Sequence, residues 1–151
     1  SIIDATAGLG RDSYILASLG FEVTLVERSP ILFTLLENAL HRAKDEAAVQ
    51  RMHLIQADAI AWLPTAPPAD VIYLDPMFPT RQKSAAVKKE MLILQDLLGK
   101  DPDAADLFQV ALACAKKRVV VKRPKLADNI ADRVPNYTLQ GKSSRFDIYL
   151  T

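Results

Sequence analysis

The chain has 151 residues, 50% of them hydrophobic and 25% charged, with a formal net charge of +1 and a single cysteine. That length suits one domain spanning 1–151, with a core large enough to need neither a disulfide nor a metal, and one cysteine excludes an intramolecular disulfide and a cysteine-rich zinc site. No apolar run approaches the ~20 residues of a membrane-spanning helix, and the near-neutral total leaves any attraction to polyanions to local clusters of charge.

In chain order, short β-rich runs alternate with longer helical stretches. "SIID" reads as a strand, and "RDSYILASLG" follows as a helix with Tyr14, Ile15, Ala17 and Ser18 at helical spacing and Gly20 as its stop. "FEVTLVE" alternates and is rich in β-branched residues, which predicts a second strand. "SPILFTLLENALHRAKDEAAV" predicts a long helix running to Val49, with Ser29 as N-cap and Pro30 in the first helical position. "MHLIQAD" is a third strand, and "AIAWLPTAPP" holds a short helix and a proline-rich turn. "ADVIYLD" is apolar at nearly every position, as a central parallel strand should be. After a DPMFP loop come a helix in "KSAAVKKEMLILQDLLG", another in "DPDAADLFQVALACAKK" entered at Pro102, and a fifth strand in "RVVVKRP". The tail "YTLQGKSSRFDIYL" predicts two strands joined by a Gly-Lys-Ser-Ser turn. The expected architecture is α/β and Rossmann-like: a doubly wound, mostly parallel sheet with an antiparallel strand near the C-terminus.

Ligands of such sheets sit at the carboxyl ends of the strands, near the point where the strand order reverses. Strand one ends in Asp4, followed by a loop with Gly8 and Gly10 and then Arg11 and Asp12. Strand two ends in Glu27, where a carboxylate can accept two hydrogen bonds from a ribose diol. Strand three leads to Asp58, a candidate partner for an adenine amine, with Ala59 and Ile60 to pack on the ring; read alone, Asp58 is better explained as a helix cap. Strand four ends in Asp75. The first loop lacks the third glycine of a dinucleotide fingerprint, and an acidic loop would repel a pyrophosphate. It suits the positively charged sulfonium and amino group of S-adenosylmethionine.

"DPMF" is similar to the [NDS]-P-P-[YF] loop of amino methyltransferases, with Met77 in place of the second proline. In such a loop the Asp75 carboxylate accepts a hydrogen bond from an exocyclic amine, Pro76 stiffens the backbone, and Phe78 stacks on the flat base for about 1–3 kcal/mol. Asp75, Pro76 and Phe78 are the candidate catalytic residues. Two basic blocks flank the strand ends. Arg81, Lys83, Lys88 and Lys89 lie in the first, and Lys122 and Arg123 in the second; these six are candidates for phosphate contacts. Cys114 reads as a small buried hydrophobe. His41 and His53 stand apart, so no metal site is expected.

"DATAGLGRD", "VER", "YLDPMFP", "QKSAAVKKEM", "RVVVKRP" and "RFDIY" carry a resemblance to class I methyltransferases. More narrowly, the chain resembles the bacterial ribosomal RNA small-subunit methyltransferase J family. The resemblance implies methylation of N2 of a guanosine in 16S ribosomal RNA, with naked RNA or the small subunit as partner, in the cytoplasm. It implies cofactor contacts at Arg11, Asp12, Glu27, Arg28, Asp58, Ala59 and Asp75, beside Asp4, Gly8 and Gly10 of the first loop. It also implies a family N-terminal segment that a chain opening on "SIIDATAG" lacks. Two other readings stay open. The acceptor could be another amine, such as adenine N6 or a protein amide, or the chain could be an RNA-binding module without turnover.

Overall fold

A computed structural model of the chain describes residues 1–76 and 103–151. The expected helix in "KSAAVKKEMLILQDLLG", together with Phe78, Arg81, Lys83, Lys88 and Lys89, lies outside the described residues.

The described residues build a seven-stranded sheet. Its strands are β1 (Ile2–Asp4), β2 (Val23–Glu27), β3 (Met52–Gln56), β4 (Val71–Leu74), β5 (Arg118–Pro124), β6 (Tyr137–Gln140) and β7 (Ser144–Leu150). The spatial order is β3-β2-β1-β4-β5-β7-β6. β1 to β5 are parallel, and β7 runs antiparallel to both neighbours. From β1 the chain steps outward to β2 and β3, then returns to the far side of β1 with β4. The order therefore reverses between β1 and β4, and the loops after those two strands diverge there to leave a crevice.

The helices are α1 (Arg11–Ser18), α2 (Pro30–Arg42), α3 (Ala59–Trp62) and α4 (Ala104–Cys114). The Ser29 side chain accepts from the Leu32 amide, and Pro30 opens α2 where a missing N–H costs nothing. α1 ends in a paired hydrogen-bond closure: the Gly20 amide donates to Ala17 and the Phe21 amide to Leu16. The larger core lies between the sheet and α3 and α4. There Phe108 meets Tyr149 edge-on, with ring centroids 4.7 Å apart. A smaller core joins Ala17 and Leu36 to Val23, Leu25 and Met52. Cys114 is partly buried and packs against the larger core.

Two expectations about helices change. α2 stops at Arg42 instead of reaching Val49, because Ala48 and Val49 are buried in the smaller core. Seating them bends the chain into a separate short turn, Val49–Arg51, that feeds β3. In α1 the buried residues are Ser13 and Ala17, while Tyr14 and Ile15 point to solvent. Among the described residues no helix is long and apolar enough to cross a membrane.

Candidate active site

The crevice at the reversal point opens into a cavity of about 320 Å³. Most of its lining comes from the carboxyl ends of β1 to β4 and the loops after them, with Leu32 of α2, Lys122 of β5 and Asp103, Ala104 and Leu107 at the start of α4 completing it. After β1, the loop 5–10 turns back over the strand ends, with Gly8 at φ +55° and Gly10 at φ +70°. Gly8 lines the cavity. Gly10 does not. It starts α1, and a Cβ there would lie 2.8 Å from Leu36 Cδ1, so close helix packing requires this glycine. Gly10, expected at the ligand, has this packing role in the fold.

Asp4 closes the floor of the crevice. It is 2% exposed, takes the Ser13 hydroxyl on one oxygen and accepts the Thr6 amide at 3.1 Å on the other. Burial pushes its pKa up to about 6, against the pull of the Ser13 and Thr6 hydrogen bonds. Thr6 also spans the crevice, its hydroxyl oxygen accepting the Asp75 amide at 2.7 Å. The loops after β1 and β4 are thereby fastened at the point where they diverge.

Glu27, at the end of β2, is 7% exposed. Its Oε2 accepts the Gly8 amide at 2.8 Å and its Oε1 accepts the Ser29 amide at 2.7 Å. One carboxylate thus pins the glycine loop on one side and the start of α2 on the other. Each oxygen keeps a second lone pair for a ligand hydroxyl. Asp58 caps α3, accepting the Ile60 amide at 2.8 Å, and lines the cavity with Ala57, Ala59 and Ile60. Arg28 pairs with Asp103 at 2.6 Å, joining the end of β2 to the start of α4.

The densest charge lies where β4, β5 and α1 converge. The Lys122 ammonium sits 2.7 Å from Asp12 Oδ2 and 3.0 Å from Asp75 Oδ2. The Tyr73 hydroxyl donates to the same Asp12 oxygen at 2.6 Å. Burial opposes the Asp12 charge, but hydrogen bonds from Lys122 and Tyr73 outweigh it and hold this carboxyl below its usual pKa. For Asp75 burial wins: its pKa is raised even though Lys122 pulls it down, and Asp12 adds to the rise. Burial lifts the Tyr73 hydroxyl far above its usual pKa, so it stays a donor. Lys122 is raised because its two carboxylate partners outweigh burial.

Of the residues expected at a ligand site, Asp4, Gly8, Arg11, Asp12, Glu27, Arg28, Asp58, Ala59, Asp75 and Pro76 share this one cavity. Two expected phosphate contacts are corrected. Lys122 points into the cavity and is tied to two carboxylates. Arg123 is 6% exposed and donates to the Asp128 carbonyl beneath the turn after β5. Sequence reasoning missed Thr6, Tyr73 and the role of Lys122. For Tyr73 the available signal is its two-residue spacing from Asp75, which an extended backbone turns to the same side. Thr6 carried no signal, because its partner is sixty-nine residues away.

The cavity suits a cationic ligand with an adenosine at its far end. Asp4, Asp12 and Asp75 are gathered at one end with Lys122 as the cation among them, and Glu27, Asp58 and small apolar residues line the other. Among the described residues, no three His, Cys, Asp or Glu side chains gather as a metal-holding group.

Comparison with known proteins agrees with this geometry. A family model described as "Putative SAM-dependent methyltransferase" matches residues 1–151. The chain is 52% identical over 158 residues to a protein of Thioalkalivibrio sulfidiphilus named "Ribosomal RNA small subunit methyltransferase J", covering 100% of this chain and 62% of that one. A Pseudomonas aeruginosa protein of the same name is 55% identical over 156 residues, covering 98% of this chain and 59% of that one. The chain therefore spans about three-fifths of the length of these curated relatives. The crystal structure of a SAM-dependent methyltransferase from Neisseria gonorrhoeae matches with a TM-score of 0.79 and 39% identity, over 99% of this chain and 64% of that one.

Proposed function

The chain belongs to the SAM-dependent methyltransferase family, in the ribosomal RNA small-subunit methyltransferase J group, and we propose that it methylates the exocyclic N2 amine of a guanosine in 16S ribosomal RNA. The observation that carries this reading is the state of Asp75. Its carboxylate lies in the wall of the acidic cavity, with Oδ2 on Lys122 and Oδ1 taking no hydrogen bond among the described residues. A carboxylate oxygen that takes no hydrogen bond from the described residues, at the end of β4, can accept a hydrogen from an amine and so aim the nitrogen lone pair into the cavity.

S-adenosylmethionine, when bound, would supply a methyl group on a positively charged sulfur, which keeps the electron pair of the broken S–C bond and leaves as a neutral thioether. Glu27 would hold its ribose hydroxyls, Asp58 its adenine amine, and Ala57, Ala59 and Ile60 the ring faces. Asp4 and Asp12 would face its cationic end. Asp75 then serves the acceptor. As the new N–C bond forms, N2 gains positive charge, and a carboxylate at hydrogen-bond distance offsets that charge. N2 sheds a proton in the same step or just after it, and Asp75 accepts it on its way to solvent. Guanine N2 is not basic, so it needs orientation and charge compensation more than prior deprotonation. Phe78 would stack on the base. Arg81, Lys83, Lys88 and Lys89 would meet the RNA backbone. Such a substrate places the work in the cytoplasm.

The test is methyl transfer from labelled donor, catalysed by the full-length protein, to small-subunit particles from cells that lack the enzyme. Mass spectrometry then locates the label. Label on N2 of a single 16S guanosine is the expected result. Label on adenine N6 or on protein, or none at all, overturns the proposal.

A further inference from the structure

Lys122 sits elsewhere in the structure than its place in the sequence suggests. It belongs to a basic run that reads as a phosphate-binding block, yet the alternation of β5 sends it into the cavity between two carboxylates. Its partners come from two different elements: Asp12 opens α1, and Asp75 follows β4. Tyr73, on the same strand face as Asp75, holds the Asp12 oxygen that Lys122 also holds. The result is a chain of contacts, Tyr73 to Asp12 to Lys122 to Asp75, along the wall of the cavity.

We propose that Lys122 is a positioning residue for methyl transfer: its ammonium, 2.7 Å from Asp12 and 3.0 Å from Asp75, favours the charged form of Asp75 and holds one of its oxygens, leaving the other for the acceptor amine. This rests on the reading of Asp75 given above and deepens it. The physical need is plain from the groups that face Asp75. Asp12 from α1 and Asp4 from β1 are both acidic, Tyr73 from β4 donates its hydrogen elsewhere, and Lys122 from β5 is the cation against it. Without that cation, burial and the neighbouring carboxylates would favour a protonated Asp75. A protonated carboxyl would present a donor where the amine also presents donors, and it could not offset the charge growing on nitrogen. Fixing Oδ2 also removes rotation about the carboxylate, so the open oxygen has one place to be.

The experiment compares the full-length wild-type protein with Lys122→Met, Lys122→Arg and Asp12→Asn. Carbon-13 NMR of the Asp75 carboxyl reads its titration without requiring turnover, and single-turnover methylation reads the rate. In Lys122→Met the Asp75 titration should move up by about one pH unit or more. The rate at neutral pH should fall by at least about tenfold, and the acid limb of the rate profile should move up with the titration. Lys122→Arg should restore both, since it keeps the charge and two donors. Asp12→Asn removes a neighbouring negative charge and frees Lys122 for Asp75 alone, so the Asp75 titration should move down; adding Lys122→Gln to Asp12→Asn should move it back up, and this pair decides the matter even where Lys122→Met fails to fold. An Asp75 titration unmoved in folded Lys122→Met, or moved upward in Asp12→Asn, overturns the inference. So does a rate loss in Lys122→Met that Lys122→Arg fails to rescue. Wild-type protein that leaves guanine N2 unmethylated sinks the functional reading instead, and the NMR titrations still report whether Lys122 governs the ionisation of Asp75.

Discussion

Glu27 and Gly8 are joined by a 2.8 Å hydrogen bond from the glycine amide to Oε2, nineteen residues apart in the chain. The other oxygen of the same carboxylate takes the Ser29 amide at 2.7 Å. The residue that would bind a ribose diol is therefore also the peg on which both neighbouring loops hang.

Substitutions at Glu27 should accordingly show two effects. Glu27→Ala strips two amides of their acceptor, each costing about 1–3 kcal/mol where water cannot replace it. Both thermal stability and donor affinity should fall. Glu27→Gln keeps an acceptor for one amide and should fold better while still losing charge-assisted bonds to the ribose. Calorimetry with S-adenosylmethionine and a thermal melt of each variant check this. Unchanged donor affinity in folded Glu27→Gln would falsify the ribose assignment while leaving the peg intact.

Asp4 gives a pH dependence of the less common sign. Its folded pKa, about 6, lies above the unfolded value of 3.8, so the folded state binds the proton more tightly. The stability this contributes is fully present below the unfolded value and is lost as pH rises through 6. By pH 7 the loss is on the order of 3 kcal/mol. Asp4→Asn should remove that dependence. Its amide oxygen can still accept from Thr6, and its amide nitrogen can donate to the Ser13 oxygen. Urea denaturation between pH 4 and 7 should show a flatter stability profile for Asp4→Asn, and a higher midpoint at pH 7. The same variant should bind the cationic donor more weakly, since the charge at the crevice floor is gone. Parallel profiles for wild type and variant would show that Asp4 ionises normally.

Arg145 lies in "RFDIY", one of the runs that carry the family resemblance, and its role is in the fold. It is 9% exposed and beside Asp147, which is fully buried, with Nε 2.9 Å from Asp147 Oδ1. Its guanidinium also donates to the carbonyls of Lys125 and Ala127 and to the Asn129 side chain, clamping the turn after β5 onto β7. Arg145→Met would leave the Asp147 charge buried without this partner, a loss of about 3–5 kcal/mol. Chemical denaturation should report that loss. Donor affinity, measured on the residual folded protein in the cold, should stay close to wild type.

How far the sequence discloses this molecule depends on whether a signal is local. β4 was legible because a buried parallel strand is written as a continuous apolar run, β5 because three valines stand together, and α2 at its start because Ser29 and Pro30 act within one turn. The end of α2 was not legible. Nothing in "HRAKDEAAV" breaks a helix, and the chain leaves it only because Ala48 and Val49 find a buried seat supplied by other elements. The same division holds in the site. Asp4, Glu27, Asp58 and Asp75 could be named because strand ends are the rule in this architecture. What holds them could not, since Thr6 and Tyr73 act on partners brought together by the sheet. Lys122 and Arg123 show the remaining gap: a count of basic residues joins them, whereas the two-residue period of β5 points one into the cavity and the other to the opposite face, under Asp128.

Because Lys122 and Arg123 are engaged inside the fold, the basic residues left as candidates for RNA backbone contacts are Arg81, Lys83, Lys88 and Lys89. Replacing Lys88 and Lys89 together with Gln should weaken RNA binding. It should also reduce the log–log salt slope by about 0.7–0.9 for each phosphate that is no longer neutralised. Donor affinity should not change. Filter binding across a salt series measures this, and an unaltered slope returns both lysines to a solvated surface.

Asp75 and Phe78 should fail in different ways when replaced. Asp75→Asn keeps the size of the side chain, and its backbone amide still reaches the Thr6 hydroxyl, so the crevice should stay fastened. The new amide loses the charge that pairs with Lys122, and whichever way it is turned it brings a donor to an ammonium or to the acceptor amine. Methyl transfer should fall steeply, and donor affinity should change as well because Asp75 lines the cavity. Phe78→Ala removes a stacking surface worth about 1–3 kcal/mol and leaves the charges of the cavity alone. A base displaced by about 1 Å costs on the order of a hundredfold in rate, so transfer should drop while donor binding persists. Single-turnover methylation set against donor calorimetry separates the two variants. A folded Phe78→Ala that transfers methyl at the wild-type rate would mean that the aromatic after Asp75 holds no base, and the acceptor would then have to be sought elsewhere along the crevice.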